Sequence, residues 1–171
     1  MSARRPRGAW LGMLSAVLLV SGCGVKRIEN GVYHSSKGYR VVIPGNEWAP
    51  FDESPADLEL RHRASAAGMA VHAVCEGRAP RRAPDVLARQ LLIGLRDRAV
   101  IERGATEIAG RAASRAVLDG RLDGSTTRVR METLVVTDGR CVYDFMYVAP
   151  PGAFDATRAD FTRFVESFRT E

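Results

Sequence analysis

The stretch Ala113–Val148, ASRAVLDGRLDGSTTRVRMETLVVTDGRCVYDFMYV, alternates apolar and polar residues through three runs, separated by Asp123-Gly124 and Asp138-Gly139. Period-two alternation places successive side chains on opposite faces of a strand, and Asp-Gly between alternating runs is a strong hairpin signal because a two-residue turn needs positive φ at both central positions. The stretch therefore predicts three consecutive antiparallel strands. In the middle one Val129, Met131, Thr133 and Val135 face one way while Arg128, Arg130 and Glu132 face the other. That pattern predicts a sheet with a solvated side over at least half its length.

Working outward, Phe161, Phe164, Val165 and Phe168 recur at i, i+3, i+4 and i+7, which predicts a closing helix with its apolar stripe in the core. Upstream, Pro84-Asp85 opens a second helix, since proline suits the first helical position and an acid suits the positive end of the helix dipole. Leu87, Leu91 and Leu95 recur every four residues, so this helix is expected to run for about 14 residues, with Arg96 and Arg98 near its end. Still further upstream, VYHSSKGYRVVIP (residues 32–44) predicts two short strands around Ser35–Gly38, and LELRHR (58–63) and MAVHAVC (69–75) predict two more. The order is strands, helix, antiparallel strands, helix. It predicts an α+β class, an antiparallel β-sheet meander with helices packed against it.

The N-terminus carries Arg4, Arg5 and Arg7, then thirteen uncharged residues from Gly8 to Val20, then Ser21-Gly22. This is the layout of an export signal, and the apolar run is shorter than the roughly 20 residues a transmembrane helix needs. Val20-Ser21-Gly22-Cys23 resembles the lipobox of bacterial lipoproteins. The resemblance implies cleavage before Cys23, acylation of Cys23 and anchoring in a membrane by several acyl chains, since one chain holds a protein only reversibly. Gly24 stands where an Asp would signal retention in the inner membrane of enteric bacteria, which favours the outer membrane, with the domain facing the periplasm. The expected organisation is a signal peptide over 1–22, an acylated cysteine and tether over 23–31, and one α+β domain over 32–171.

Charge follows from that division. The whole chain has 25 basic and 20 acidic residues, but removing 1–22 leaves 22 against 20, a mature net charge of about +2. Nucleic-acid binding requires clustered Lys and Arg. The nearest approach, Arg78, Arg81 and Arg82, sits in a proline-containing loop without aromatics. No nucleic-acid partner is expected.

Enzymatic chemistry finds no constellation. The three histidines, His34, His62 and His72, do not supply a zinc site, which needs three or four ligands in register; His62 and His72 are potential neighbours across an antiparallel pair, but Cys75 falls on the face opposite His72. No serine lies in a G-x-S-x-G elbow, Ser114 and Ser125 occupy strand and turn contexts, and the glycines mark turns rather than a phosphate loop. Asp144, between Tyr143 and Phe145, is expected to be a paired strand residue on the outer face. Catalytic residues, metal and cofactor are therefore all expected to be none. Cys75 and Cys141 are expected to form a disulfide in an oxidising compartment; the other arrangement is two separate buried thiols acting as small hydrophobes.

GYRVVIPGNEW (38–48) and DGRCVYDFMYVAPPGAFDATRADFTRFVESFR (138–169) carry a second resemblance. They are similar to the opening hairpin, the aromatic-rich last strand and the terminal helix of the PsbP-like fold group, which includes DcrB-like bacterial lipoproteins. The resemblance implies an α/β/α sandwich and a non-enzymatic module that docks onto other proteins. The expected function is a lipid-anchored envelope lipoprotein acting as a protein-interaction or auxiliary transport-system module, its partners being the membrane, through the acyl chains, and another envelope protein. The competing expectations are a carrier of a lipid or other apolar ligand, held between sheet and helix, and an envelope hydrolase. A carrier needs an unfilled apolar cavity; a docking module needs an exposed apolar patch.

Overall fold

The computed structural model describes residues 27–75, 77 and 82–171. The signal, Cys23 and most of the tether lie outside the described residues, as do Arg78 and Arg81.

The three-strand stretch folds as the alternation requires: β8 (Arg111–Leu122), β9 (Arg128–Thr137) and β10 (Cys141–Ala149) are consecutive antiparallel neighbours. Their turns differ from the expectation. Only the glycines take positive φ (Gly124 at 76°, Gly139 at 86°), so neither is the two-residue turn that Asp-Gly suggested. Asp138 instead accepts the N–H groups of Arg140 and Cys141, at 2.9 and 2.8 Å, closing a three-residue turn with its side chain.

Upstream lie β1 (Arg27–Glu29), β2 (Val32–Ser35), β3 (Tyr39–Val42), β4 (Trp48–Pro50), β5 (Leu58–His62) and β6 (Gly68–Cys75). The chain then runs through α1 (Pro84–Ala88), a 3-10 turn (Gln90–Leu92) and β7 (Leu95–Ile108), and finishes with α2 (Phe154–Glu166) and β11 (Arg169–Thr170). There are two sheets rather than one meander. The larger has the order β4-β5-β6-β10-β9-β8-β7; the smaller has the order β1-β2-β3-β11, so the opening hairpin is completed by the end of the chain.

The helix expected from Pro84 for about 14 residues is a correction. Helical geometry stops at Leu92, Ile93 is extended (φ −63°, ψ 130°), and Gly94 takes φ +89°. Leu95 is buried from a strand opposite Leu122, and Arg96 and Arg98 belong to that strand and not to a last helical turn. Leu95 settles against Gly120: a Cβ there would stand 2.7 Å from Leu95 Cγ and 2.9 Å from the Arg96 carbonyl oxygen, which explains a glycine inside a strand.

The solvated face is a second correction. Leu134 and Val136 pack into the main core with the small sheet and α2, while Val135, between them, packs with Leu87 and Ala88 of α1. Adjacent residues on a strand face opposite ways, so both faces of the large sheet are covered. Glu132, read as facing solvent, is 5% exposed. The α2 stripe does what its spacing predicts: Phe161, Phe164, Val165 and Phe168 are all buried. Phe168 stacks edge-on against Tyr143 and Phe145 at centroid distances of 4.7 and 5.4 Å, and Phe161 lies parallel to Tyr147 at 5.4 Å.

Candidate functional site

Four elements each send one charged side chain to a single point beside α2. Arg115 of β8 donates through Nε to Glu132 Oε1 of β9 at 2.5 Å and through Nη1 to Glu102 Oε2 of β7 at 2.7 Å. Arg158 of α2 donates to Glu132 Oε2 at 2.9 Å and lies 3.6 Å from Glu102. Two cations and two anions thus close a ring that holds the helix over the sheet. Arg115 keeps Glu102 below the ordinary carboxylate range by hydrogen bond and charge. Beside the ring, a surface groove of about 550 Å³ opens between β7, β8, β9 and α2, lined in part by Ile108, Leu134, Phe161 and Val165. On the other face, Ala88 and Leu92 flank a slot of about 450 Å³ floored by Ala105, Ala112 and Ala116. Both are open surface features. Phe161, Phe164 and Phe168 fill the space between α2 and β10, while the groove beside the ring is the part of the helix–sheet boundary that stays open.

A second polar cluster joins the two sheets. Asp57 Oδ2 accepts the Tyr39 hydroxyl and the Ala73 N–H, each at 2.9 Å, and Oδ1 accepts Lys37 Nζ at 2.6 Å. His72 Nδ1 lies 3.3 Å from the same carboxylate. Burial, reinforced by the Asp57 charge, pushes the Tyr39 phenol far above its ordinary range, so it stays a donor.

Of the residues singled out from the sequence, Cys75 and Cys141 are joined: they are register partners on β6 and β10, with Cα atoms 4.0 Å apart. His62 and His72 are not neighbours. The His62 backbone N–H donates to the Ala67 carbonyl while Asp144 stands opposite His72, and His34 Nδ1 instead lies 3.3 Å from Glu171. Among the described residues, no group of three or more His, Cys, Asp or Glu is placed to hold a metal ion, and no helix is long and apolar enough to cross a membrane. Ser114 is buried on β8.

Asp144 departs from its expected paired, outer position. It is half-buried between His72 and Val135, and its carboxyl makes no hydrogen bond or ion pair with the described residues. Burial pushes its carboxyl up to about 6. The native state therefore holds this proton more tightly than the unfolded chain, whose carboxyl titrates near 3.9. Stability falls as pH rises through about 4 to 6 and stays reduced above that window. Asp144→Asn is expected to raise the unfolding free energy by about 2 kcal/mol near pH 7.5 and to change it little near pH 3.5, which urea melts at the two pH values check.

Six large apolar side chains are exposed among the described residues, and five of them, Val86, Ile93, Val100, Ile101 and Leu122, fall on the run from α1 to the end of β8. The Gly94 carbonyl accepts the Asp123 N–H at 2.8 Å, bringing Ile93 and Leu122 to the same end of the sheet. Arg89, Arg96 and Arg98 are exposed along the same run.

No protein-family model and no curated protein matches the chain. Solved structures do. The cyanobacterial PsbP (CyanoP) of Synechocystis sp. PCC 6803 superposes with a TM-score of 0.58 at 16% identity, covering 94% of this chain and 100% of that one. LpqN of Mycobacterium tuberculosis, described as involved in cell envelope biogenesis, gives 0.60 at 14% identity over 81% of this chain and 88% of its own. PA94 of Pseudomonas aeruginosa, of unknown function, gives 0.51 at 16% identity, covering 82% and 96%. At these identities the likeness concerns architecture: the described domain has the PsbP-like α+β fold.

Proposed function

We propose that the protein is a lipid-anchored module of the bacterial envelope that docks, without catalysis of its own, onto another envelope protein through the surface running from α1 to the end of β8. The observation that carries this reading is the concentration of five of the six exposed large apolar side chains on that run. Ile93 and Leu122 meet at one end of the sheet, and apolar groups brought together on a surface mark an interaction site. Around it the charges are mixed, Arg89 pairing with Asp85, Arg96 with Asp123 and Asp97 with Arg121, which suits a partner with an apolar centre and a polar rim of both signs. The Val20–Cys23 lipobox resemblance supports the anchor, with the outer membrane favoured by Gly24, and the structural likeness to an envelope-biogenesis protein supports the compartment. The packing of Phe161, Phe164 and Phe168 against β10 leaves the carrier reading only the open groove beside the Glu102–Arg115 ring.

The test is a photo-crosslinking amino acid placed at Ile93, 84% exposed, in the native membrane, followed by mass spectrometry. The expected result is one dominant envelope protein, lost when Val100 is changed to Asp. Recovery of lipids alone would transfer the reading to the carrier, and recovery of nothing would overturn it. Sequencing of the purified polypeptide, expected to begin at an acylated Cys23, tests the anchor separately.

A further inference from the structure

β7 ends the large sheet, so its outer edge has no strand partner among the described residues. The two halves of that edge differ. From Arg96 to Glu102 the register with β8 slips twice, between Arg96 and Ala99 and between Val100 and Glu102, and such irregularities turn an edge away from further pairing. From Glu102 to Ile108 the ladder is regular, each residue opposing one of Val117 to Arg111 without a break.

That regular half reads ERGATEI. When the segment is laid antiparallel against itself about Ala105, Ala105 meets its own copy, Gly104 meets Thr106, and Arg103 meets Glu107 twice. Arg103 and Glu107, four residues apart on one strand, project from the same face, so each cross-strand pair lies on a common side of the joined sheet. Both side chains are exposed, and neither makes a hydrogen bond or ion pair within the domain. The three residues at the centre are small, which lets two backbones approach.

We propose that the Glu102–Ile108 edge of β7 pairs with the same edge of a second copy of this chain, giving a two-fold dimer with a continuous sheet through both subunits and reciprocal Arg103–Glu107 ion pairs. The occupant is a second copy because the charge order complements itself in one register, whereas an unrelated strand would meet that order only by coincidence. This inference rests on the backbone edge and charge order of Glu102–Ile108, whereas the docking reading rests on Val86, Ile93, Val100, Ile101 and Leu122. A seven-residue ladder buries less than a standard interface, which implies micromolar or weaker association.

Sedimentation equilibrium of the full chain in mild detergent tests it, with the single variants Arg103→Glu and Glu107→Arg and the double variant R103E/E107R. The wild type is expected to show a monomer–dimer equilibrium. Each single variant places like charges opposite each other twice and should raise the dissociation constant about tenfold or more. The double variant restores opposite charges and should return it to within about threefold of wild type. Unchanged thermal melts of all three variants are expected, because these side chains hold nothing within the domain. A wild type that is monomeric up to about 1 mM, single variants that dimerise like wild type, or a double variant that fails to recover would each overturn the proposal.

Discussion

Removing the Cys75–Cys141 bridge is expected to lower the free energy of unfolding by about 4 kcal/mol. The two cysteines are 66 residues apart in the chain, and in the chain-entropy model a closed loop of that length removes much of the freedom of the unfolded ensemble. The native state has little to lose in compensation, since β6 and β10 remain paired along Val74↔Val142 to Gly68↔Val148 without the bond. At this chain size the loss corresponds to a fall in melting temperature of about 10–15 °C. The Cys75→Ala/Cys141→Ala double variant should therefore melt well below the oxidised protein while keeping its fold. Adding reductant should bring the wild type down to the double variant and leave the double variant where it is. A difference below about 1 kcal/mol would show that the reduced, unfolded chain is already constrained by residual structure.

Asp57→Ala is expected to cost about 3 kcal/mol. It leaves the fully buried Tyr39 hydroxyl and the Ala73 N–H without an acceptor, and it removes the counter-charge of Lys37. A buried donor stripped of its partner loses more than the bond was worth, because it has already given up water. Asp57→Asn keeps an acceptor oxygen and should cost roughly 1 kcal/mol. A double-mutant cycle with Tyr39→Phe, read by urea melts, is expected to show coupling of about 1 kcal/mol; additivity would mean that the two groups act separately. Because Tyr39 belongs to the small sheet and Ala73 to the large one, the lost energy is that of holding one sheet to the other.

What could be read from the residues followed periodicity. The Ala113–Val148 meander, the Leu58/Leu60 strand face and the α2 phenylalanine stripe are each long enough for their period to be unmistakable. The split into two sheets was illegible because β1 and β11 are three and two residues long, and nothing in Arg169-Thr170 announces a strand. β7 was hidden by its exposure: ten consecutive residues from Arg96 to Ala105 are solvated, so there is no apolar beat to count, and the three leucines before them imitate a longer helix. Gly94 was the overlooked stop signal. Glu132 was misread as solvated for a different reason. Alternation gives the face of a residue but not what covers that face, and its arginine partners come from 17 and 26 residues away. Asp57 is similar, an ordinary acid before a strand whose three donors sit 16 to 20 residues distant. The exposed run from Val86 to Leu122 could not be located without knowing which leucines and valines the fold leaves outside.

The pairing of β11 with β3, secured by the Glu171 N–H on the Gly38 carbonyl at 2.9 Å, means that the β2–β3 hairpin waits for Arg169–Glu171 before its sheet is complete. A nascent chain cannot complete this architecture piecemeal from its leading end. A purification tag fused after Glu171 would begin beside β3 rather than hang free in solvent.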